Sequence, residues 1–154
     1  MKRDIYAGLK ALNITLPAPY QPFGTYLSVK QCGNMLFTSG ILPVSNGAQL
    51  YTGKIGGELT VEQGQEAAKM CVLNALAKIQ AYVKDLNNVR SIVKMLAFVA
   101  SAPGFNKQGM VMNAGSQLLI DIFGSPAGEH VRTAIGVNEI PHNAPVEIEL
   151  IVEI

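Results

Sequence analysis

The chain has 154 residues, of which 49% are hydrophobic and 15% are charged, and its formal net charge is +1. This composition predicts a single folded domain over residues 1–154. The even charge balance argues against nucleic acid or an anionic membrane as a partner. A mean hydropathy of +0.24 leaves more apolar surface than a small monomer needs, so we expect subunit interfaces.

The first residues are predicted to form a helix and an extended arm. Ile5 and Leu9 recur at helical spacing within residues 2–12, and three prolines between residues 13 and 23 end that pattern. Together they make an N-terminal helical extension of about residues 1–24. Its charged residues interrupt the apolar positions, so it does not have the pattern of a secretory signal, and no run in the chain approaches membrane-spanning length. These features predict a cytoplasmic protein without a membrane partner.

A hairpin is expected after the arm. Gly33-Asn34 tolerates positive φ, which predicts a tight turn between strands at Tyr26–Lys30 and Met35–Ser39. The stretch from Leu42 to Leu59 shows no sustained period, and we expect it to be irregular, with a short strand near Leu50.

Two amphipathic helices separated by one long strand are predicted in the centre of the chain. Thr60 and Gln63 have the spacing of a capping box, which predicts where the first helix begins. The strand is predicted at Val89–Ala100, and Gly115 with Ser116 keeps one section of the second helix slim enough for close packing. The stripes expected to pack on the sheet are Ala68, Cys71, Val72, Ala75, Leu76, Ile79 and Val83, then Val111, Leu118, Leu119, Ile122 and Phe123.

The last two predicted strands carry the main chemical signal. In the first, a two-residue period separates Arg132 from the apolar residues beside it, and in the second, residues 146–154, Glu147 alternates with apolar residues. The loop between them, residues 138–145, suggests a hairpin whose apolar faces share one core, with Arg132 and Glu147 together on the opposite face. Such a pair can bind a carboxylate and activate a water, or it can be a cross-strand salt bridge, and the pattern leaves both open.

No other side chains have the spacing of a metal site. Cys32 and Cys71 stand far apart, and His130 and His142 lack a companion cluster, so we expect no metal. The order of elements predicts an α+β fold with a mixed or antiparallel sheet, two helices on one face, and an opposite face that needs a partner.

Taken together, these motifs resemble the RidA/YjgF family of reactive-intermediate deaminases, some members of which are called L-PSP endoribonucleases. The resemblance covers nearly everything after the N-terminal arm. It implies a chorismate-mutase-like fold, a homotrimer, and clefts between neighbouring subunits that take a small carboxylate or an imino acid. The motifs that carry it are Gly33-Asn34-Met35-Leu36-Phe37-Thr38-Ser39-Gly40, Pro43, the Arg132 strand, Ile140-Pro141 and Val146-Glu147-Ile148-Glu149.

The resemblance also implies roles for individual residues. Arg132 matches the family arginine that binds the substrate carboxylate, and Glu147 matches the glutamate that places the hydrolytic water. Tyr26, Ser39 and Gly40 match residues that line the same cleft.

Two positions of the implied cleft differ from the family pattern. Ser116 aligns with a family asparagine that contacts the ligand, and Ala134 stands where the family often has a thiol. The region from Ala102 to Asn113 is also longer, so the chain resembles a divergent subgroup.

The implied reaction is the hydrolysis of a 2-imino acid or its enamine tautomer to a 2-oxo acid and ammonia. It requires no cofactor, because the carbon of a protonated imine is already electrophilic. Two alternatives stay open. One is a non-catalytic module that binds small carboxylates, motivated by Ser116 and Ala134. The other is an endoribonuclease, which rests only on the family's older name, since the chain shows neither a basic phosphate track nor a histidine pair.

Overall fold

A mixed five-stranded sheet is the centre of the fold in residues 4–154, the part of the chain that this computed structural model describes. In chain order the strands are β1 (Val29–Cys32), β2 (Met35–Thr38), β3 (Val44–Ser45), β4 (Ala48–Gln49), β5 (Ser91–Ala100), β6 (Val131–Val137) and β7 (Val146–Glu153). The short strands β3 and β4 form a ribbon of their own, and the other five lie in the order β1-β2-β7-β5-β6. Within that sheet β6 runs parallel to β5, whereas the other neighbours are antiparallel.

The described residues form three α-helices: α1 (Ile5–Ala11), α2 (Val61–Val83) and α3 (Gln108–Phe123). The predicted capping box is present, because Thr60 Oγ1 accepts the Gln63 N–H at 3.2 Å and Gln63 Oε1 accepts the Thr60 N–H at 2.9 Å. Helices α2 and α3 pack together on one face of the sheet, and a Cβ at Gly115 would lie only 3.3 Å from Val72 Cγ2. The α+β fold with two helices on one face is thus confirmed.

The N-terminal region follows the prediction with shifted boundaries. Helix α1 begins at Ile5, and the predicted helical residues 2 and 3 lie outside the described part of the chain. In the first hairpin Gly33 has φ of +59°, as the tight turn requires. Strand β1 starts at Val29, so Tyr26 lies in the bend before it and not in the strand.

The predicted hairpin between β6 and β7 is wrong. Strand β7 lies between β2 and β5, and β6 pairs only with the other side of β5. The reason is the crossover through α3, because a strand-helix-strand connection places its two strands in parallel. Alternate side chains of β7 are fully buried, at Val146, Ile148, Leu150 and Val152, which suits a strand in the interior of the sheet.

The prediction that Arg132 and Glu147 share a face is also wrong. Arg132 is in register with Met95, which is fully buried beneath the helices, whereas Glu147 is in register with Phe98. Met95 and Phe98 are three residues apart on β5, and side chains at odd spacing point to opposite faces of a strand. Arg132 therefore faces the helices, and Glu147 faces the uncovered side.

The uncovered face of the sheet is rich in apolar side chains. Val131 and Ile135 were expected in the core, but they are 66% and 43% exposed on this face, and Phe37 is 42% exposed. An edge strand that turns its apolar side chains away from the core leaves a surface suited to another protein subunit. Among the described residues, none of the helices has both the length and the apolar composition that a bilayer crossing requires.

We predict that Thr60→Ala lowers the free energy of unfolding by about 1 kcal/mol, because it leaves the Gln63 N–H without its capping oxygen. Urea unfolding followed by circular dichroism measures the change. Thr52→Ala, at an exposed threonine outside the helices, is the matched control and is expected to leave stability within about 0.5 kcal/mol. Equal losses for the two variants would contradict the capping role.

Candidate functional site

Arg132 projects from β6 toward α3 and contacts neutral oxygen atoms. Its Nη1 donates to Ser116 Oγ at 3.0 Å, and its Nη2 donates to the Gly109 carbonyl at 3.4 Å. No carboxylate of residues 4–154 lies within salt-bridge distance of this guanidinium, so the cross-strand salt bridge left open by the sequence is not formed. The half-buried positive charge of Arg132 is therefore available to an anion.

His130 lies beside Ser116 and Arg132, a role that the sequence reasoning missed because it weighed this residue only as a metal ligand or as half of a histidine pair. Its Nδ1 lies 2.8 Å from the Gly128 carbonyl, and its Nε2 lies 3.1 Å from Ser116 Oγ. The useful signal was the two-residue spacing of His130 and Arg132, which puts both side chains on the same face of the chain as it enters β6. The structure thus brings Ser116, Arg132 and His130 together, and we call these three residues the arginine cluster.

Glu147 lies on the other face, against the segment that joins β2 to β3. Its carboxylate occupies the space that a side chain at position 40 would need, so any larger residue there would displace the carboxylate. Reciprocal backbone hydrogen bonds hold the two segments together, with the Ile41 N–H donating to the Ile148 carbonyl at 2.8 Å and the Ile148 N–H donating back at 3.1 Å. Ser39 precedes Gly40 and donates its N–H to the Ser28 carbonyl at 3.0 Å.

The environment of Glu147 favours its protonated form. Burial raises the pKa of its carboxyl group, and the negative charge of Glu149 raises that pKa further. A carboxyl group whose pKa moves toward neutrality is better suited to exchange protons in a reaction. We call Glu147 with Ser39 and Gly40 the glutamate cluster.

The tyrosine near the glutamate cluster is Tyr20, which the sequence reasoning did not single out. Its hydroxyl accepts the Leu42 N–H at 2.9 Å, and burial raises its pKa to about 12, with the charge of Glu147 among the smaller causes. Tyr26, the tyrosine predicted for the cleft, is 49% exposed in the bend before β1. Tyr20 lies in the proline-rich arm, so the position of that arm on the fold must be known before Tyr20 can be recognised as a neighbour of the glutamate cluster.

Lys78 on α2 fixes the arm that carries Tyr20. Its ammonium donates to the Tyr20 carbonyl at 2.8 Å and to Ser28 Oγ at 3.1 Å, and it lies 3.7 Å from the centroid of the Tyr20 ring. Lys78 is only 4% exposed, and burial lowers its pKa. These contacts account for a buried lysine that has no carboxylate partner among residues 4–154, since hydrogen bonds and the aromatic face offset the loss of water.

Each cluster supplies a different part of a reaction. The arginine cluster offers a cation, a hydroxyl group and an imidazole, which suit a small carboxylate. The glutamate cluster offers a carboxyl group with a raised pKa beside backbone that is free of side-chain bulk at Gly40. One chain holds the two clusters on opposite faces of its sheet, so it does not bring Arg132 and Glu147 onto one ligand.

Comparison with known proteins is consistent with this geometry. The model of the family described as "Endoribonuclease L-PSP" matches residues 16–154. Protein TCP17 of Trypanosoma cruzi is 39% identical over 150 residues, which cover 97% of this chain and 94% of that protein. A protein of Dermatophagoides farinae named 2-iminobutanoate/2-iminopropanoate deaminase is 30% identical over 142 residues, covering 92% of this chain and 94% of that protein.

One solved structure has closely the same fold as this chain. The crystal structure of the protein Atu1372 from Agrobacterium tumefaciens superposes with a TM-score of 0.90 at 38% sequence identity, covering 97% of this chain and 92% of that chain. The family match thus includes both clusters and all strands of the sheet. The resemblance seen in the sequence is confirmed, and the chain belongs to the RidA/YjgF family, which the L-PSP endoribonuclease model describes.

Proposed function

We propose that the protein is a cytoplasmic, cofactor-independent deaminase that hydrolyses 2-imino acids, or their enamine tautomers, to 2-oxo acids and ammonia. The observation that carries the proposal is the guanidinium of Arg132, which neutral oxygens of Ser116 and Gly109 hold in place without a carboxylate partner among residues 4–154. A bidentate grip on the substrate carboxylate uses that free charge. The name of the Dermatophagoides farinae relative supports the reaction class.

The active unit in this proposal is a homotrimer with sites between subunits. Arg132 and Glu147 of one chain face opposite sides of the sheet, so a site that uses both needs two chains. The apolar side chains of Val131 and Ile135 on the uncovered face supply a surface for such contacts. In a closed ring, each subunit gives Arg132 to one neighbour and Glu147 to the other, and three equal sites result.

The proposed chemistry follows from the two clusters. Arg132 of one subunit fixes the carboxylate and thereby the imine carbon bonded to it. Glu147 of the neighbouring subunit aligns a water and accepts its proton as the water attacks that carbon. The backbone at Gly40 lies beside the Glu147 carboxylate and, together with the adjoining Ser39 segment, can receive the substrate nitrogen or oxygen. The tetrahedral intermediate then loses ammonia and leaves a 2-oxo acid.

A second candidate is a non-catalytic module that binds small carboxylates. The specific observation in its favour is Ala134, which is half-buried against the core and offers no reactive group two residues after Arg132. The endoribonuclease alternative has no comparable support, because His142 stacks on Phe23 at 4.5 Å between ring centroids and His130 belongs to the arginine cluster.

Arg132→Ala is expected to lower kcat/KM for imine hydrolysis on the order of 10²-fold, because two charge-assisted hydrogen bonds to the substrate are lost. The assay measures 2-oxo acid released from imines that an amino-acid oxidase generates in situ. Lys54→Ala, which removes a surface cation paired with Glu139 at 3.0 Å, is the control and should match the wild type. Equal rates for Arg132→Ala and wild type would overturn the site; carboxylate binding without turnover by wild type would favour the binding module.

Arg132→Gln should change the free energy of unfolding by about 1 kcal/mol or less, since the substitution removes hydrogen bonds to neutral oxygens and breaks no ion pair of the described residues. Chemical denaturation at constant protein concentration measures this change. A loss of about 3 kcal/mol or more would identify Arg132 as half of a buried structural ion pair and would contradict its availability to substrate.

A further inference from the structure

We propose that Ser116 and His130 form a proton relay that acts in the breakdown of the tetrahedral intermediate. This inference rests on the proposed deaminase function and adds a catalytic step to it. Ser116 would touch the reacting atoms, and His130 would act through Ser116 as the acceptor at the end of the relay.

The hydrogen bonds of His130 fix the direction of the relay. The Gly128 carbonyl can only accept, so Nδ1 of His130, at 2.8 Å from it, carries the ring proton of the neutral imidazole. Nε2 then holds a lone pair and accepts the Ser116 hydroxyl proton across 3.1 Å. Nucleophile or relay hydroxyls in enzymes are commonly paired in this way with a base that a third group orients.

Arg132 polarises the same hydroxyl from the other side. Its Nη1 donates to Ser116 Oγ at 3.0 Å, so the oxygen accepts from a cation while its proton is directed at a base. Both contacts favour transfer of the Ser116 proton to His130, because the adjacent positive charge stabilises negative charge on the oxygen. A serine that merely capped the helix backbone would make neither contact.

The relay lies where the reaction takes place. A substrate carboxylate bound to Arg132 has the reacting carbon bonded directly to it, which places that carbon close to the hydroxyl that contacts the same guanidinium. Glu147 of the same chain is on the opposite face of the sheet. Ser116 is therefore the proton-transfer group on the Arg132 side of the bound substrate. The glutamate cluster of the neighbouring subunit lies on the opposite side of that substrate.

The two sides then divide the proton transfers. After the water adds, protonated Glu147 gives its proton to the amine nitrogen of the intermediate. Ser116 Oγ takes the proton of the new hydroxyl group as its own proton passes to His130 Nε2, the C=O bond forms, and the C–N bond breaks with its electron pair leaving on ammonia. His130 finally releases the proton to solvent, so that an iminium ion and water give a 2-oxo acid, ammonia and one proton.

The test compares His130→Gln with Ser116→Ala and Ser116→Thr in the full-length protein. Glutamine can hydrogen-bond to Ser116 but cannot take up a proton, so kcat should fall on the order of 10²-fold while KM stays within about twofold of the wild-type value. Ser116→Ala should lower kcat similarly. Ser116→Thr keeps a hydroxyl group, so its kcat should lie between the values of Ser116→Ala and the wild type. His142→Gln, at the other histidine, is the matched control and should leave both constants unchanged.

Each outcome decides between the relay and a simpler role. A wild-type kcat for His130→Gln would overturn the relay and leave the deaminase proposal standing. A raised KM at unchanged kcat would also overturn it, because His130 would then only help to position Arg132. Absence of turnover by wild-type protein would overturn the deaminase and the relay with it. Thermal melting of every variant verifies that the folded state is retained.

Discussion

Side chains of a β-strand alternate between the two faces of the sheet, and this alternation decides where the chemistry of this protein can occur. Because β6 and β7 both flank β5 in fixed register, Arg132 faces the helices and Glu147 faces the uncovered side. No change of rotamer carries a side chain through a hydrogen-bonded sheet. The two residues proposed to react with the substrate are therefore on opposite faces of a single chain, and the proposed trimer would bring them together.

The arginine cluster shows how the helix side of the sheet prepares its half-site. Gly128 must be glycine, since a Cβ there would come within 2.5 Å of the Leu119 carbonyl, and this close approach to α3 sets the carbonyl that orients His130. His130 in turn orients the Ser116 hydroxyl, and Ser116 Oγ accepts a hydrogen bond from the guanidinium of Arg132. Neutral groups thus hold the guanidinium in place, and within the described part of the chain no carboxylate pairs with it. A ligand that binds there requires little rearrangement of the protein.

The sequence predicted the parts of the fold that depend on near neighbours. The capping box at Thr60, the turn at Gly33 and the buried stripes of α2 and α3 are each fixed by residues close in the chain. Whether β6 pairs with β7 or lies on the far side of β5 depends on distant parts of the chain, and hairpin and crossover patterns look alike in one sequence. For the same reason the apolar face of β6 was assigned to the core, whereas Ile135 lies on the surface that a neighbouring subunit would cover.

The candidate site came from the family motifs, and the roles of its residues stay predictions. Family motifs led to Arg132, Glu147 and Gly40, and in the fold Gly40 lies directly against the Glu147 carboxylate. The pairing of His130 with Ser116 spans fourteen positions between a helix and a strand, so no local pattern announces it. Tyr20 was missed because its place depends on Lys78, which is distant in sequence and holds the arm against α2.

The central claim is that Arg132 of one subunit and Glu147 of the next act on one substrate, and subunit mixing tests it most directly. Arg132→Ala and Glu147→Gln are each expected to be inactive alone. When equal amounts are unfolded and refolded together, random assembly should give about a quarter of the interfaces one intact Arg132 and one intact Glu147, with activity near that fraction of wild type. Mixed assemblies that remain as inactive as the two separate variants would contradict the account.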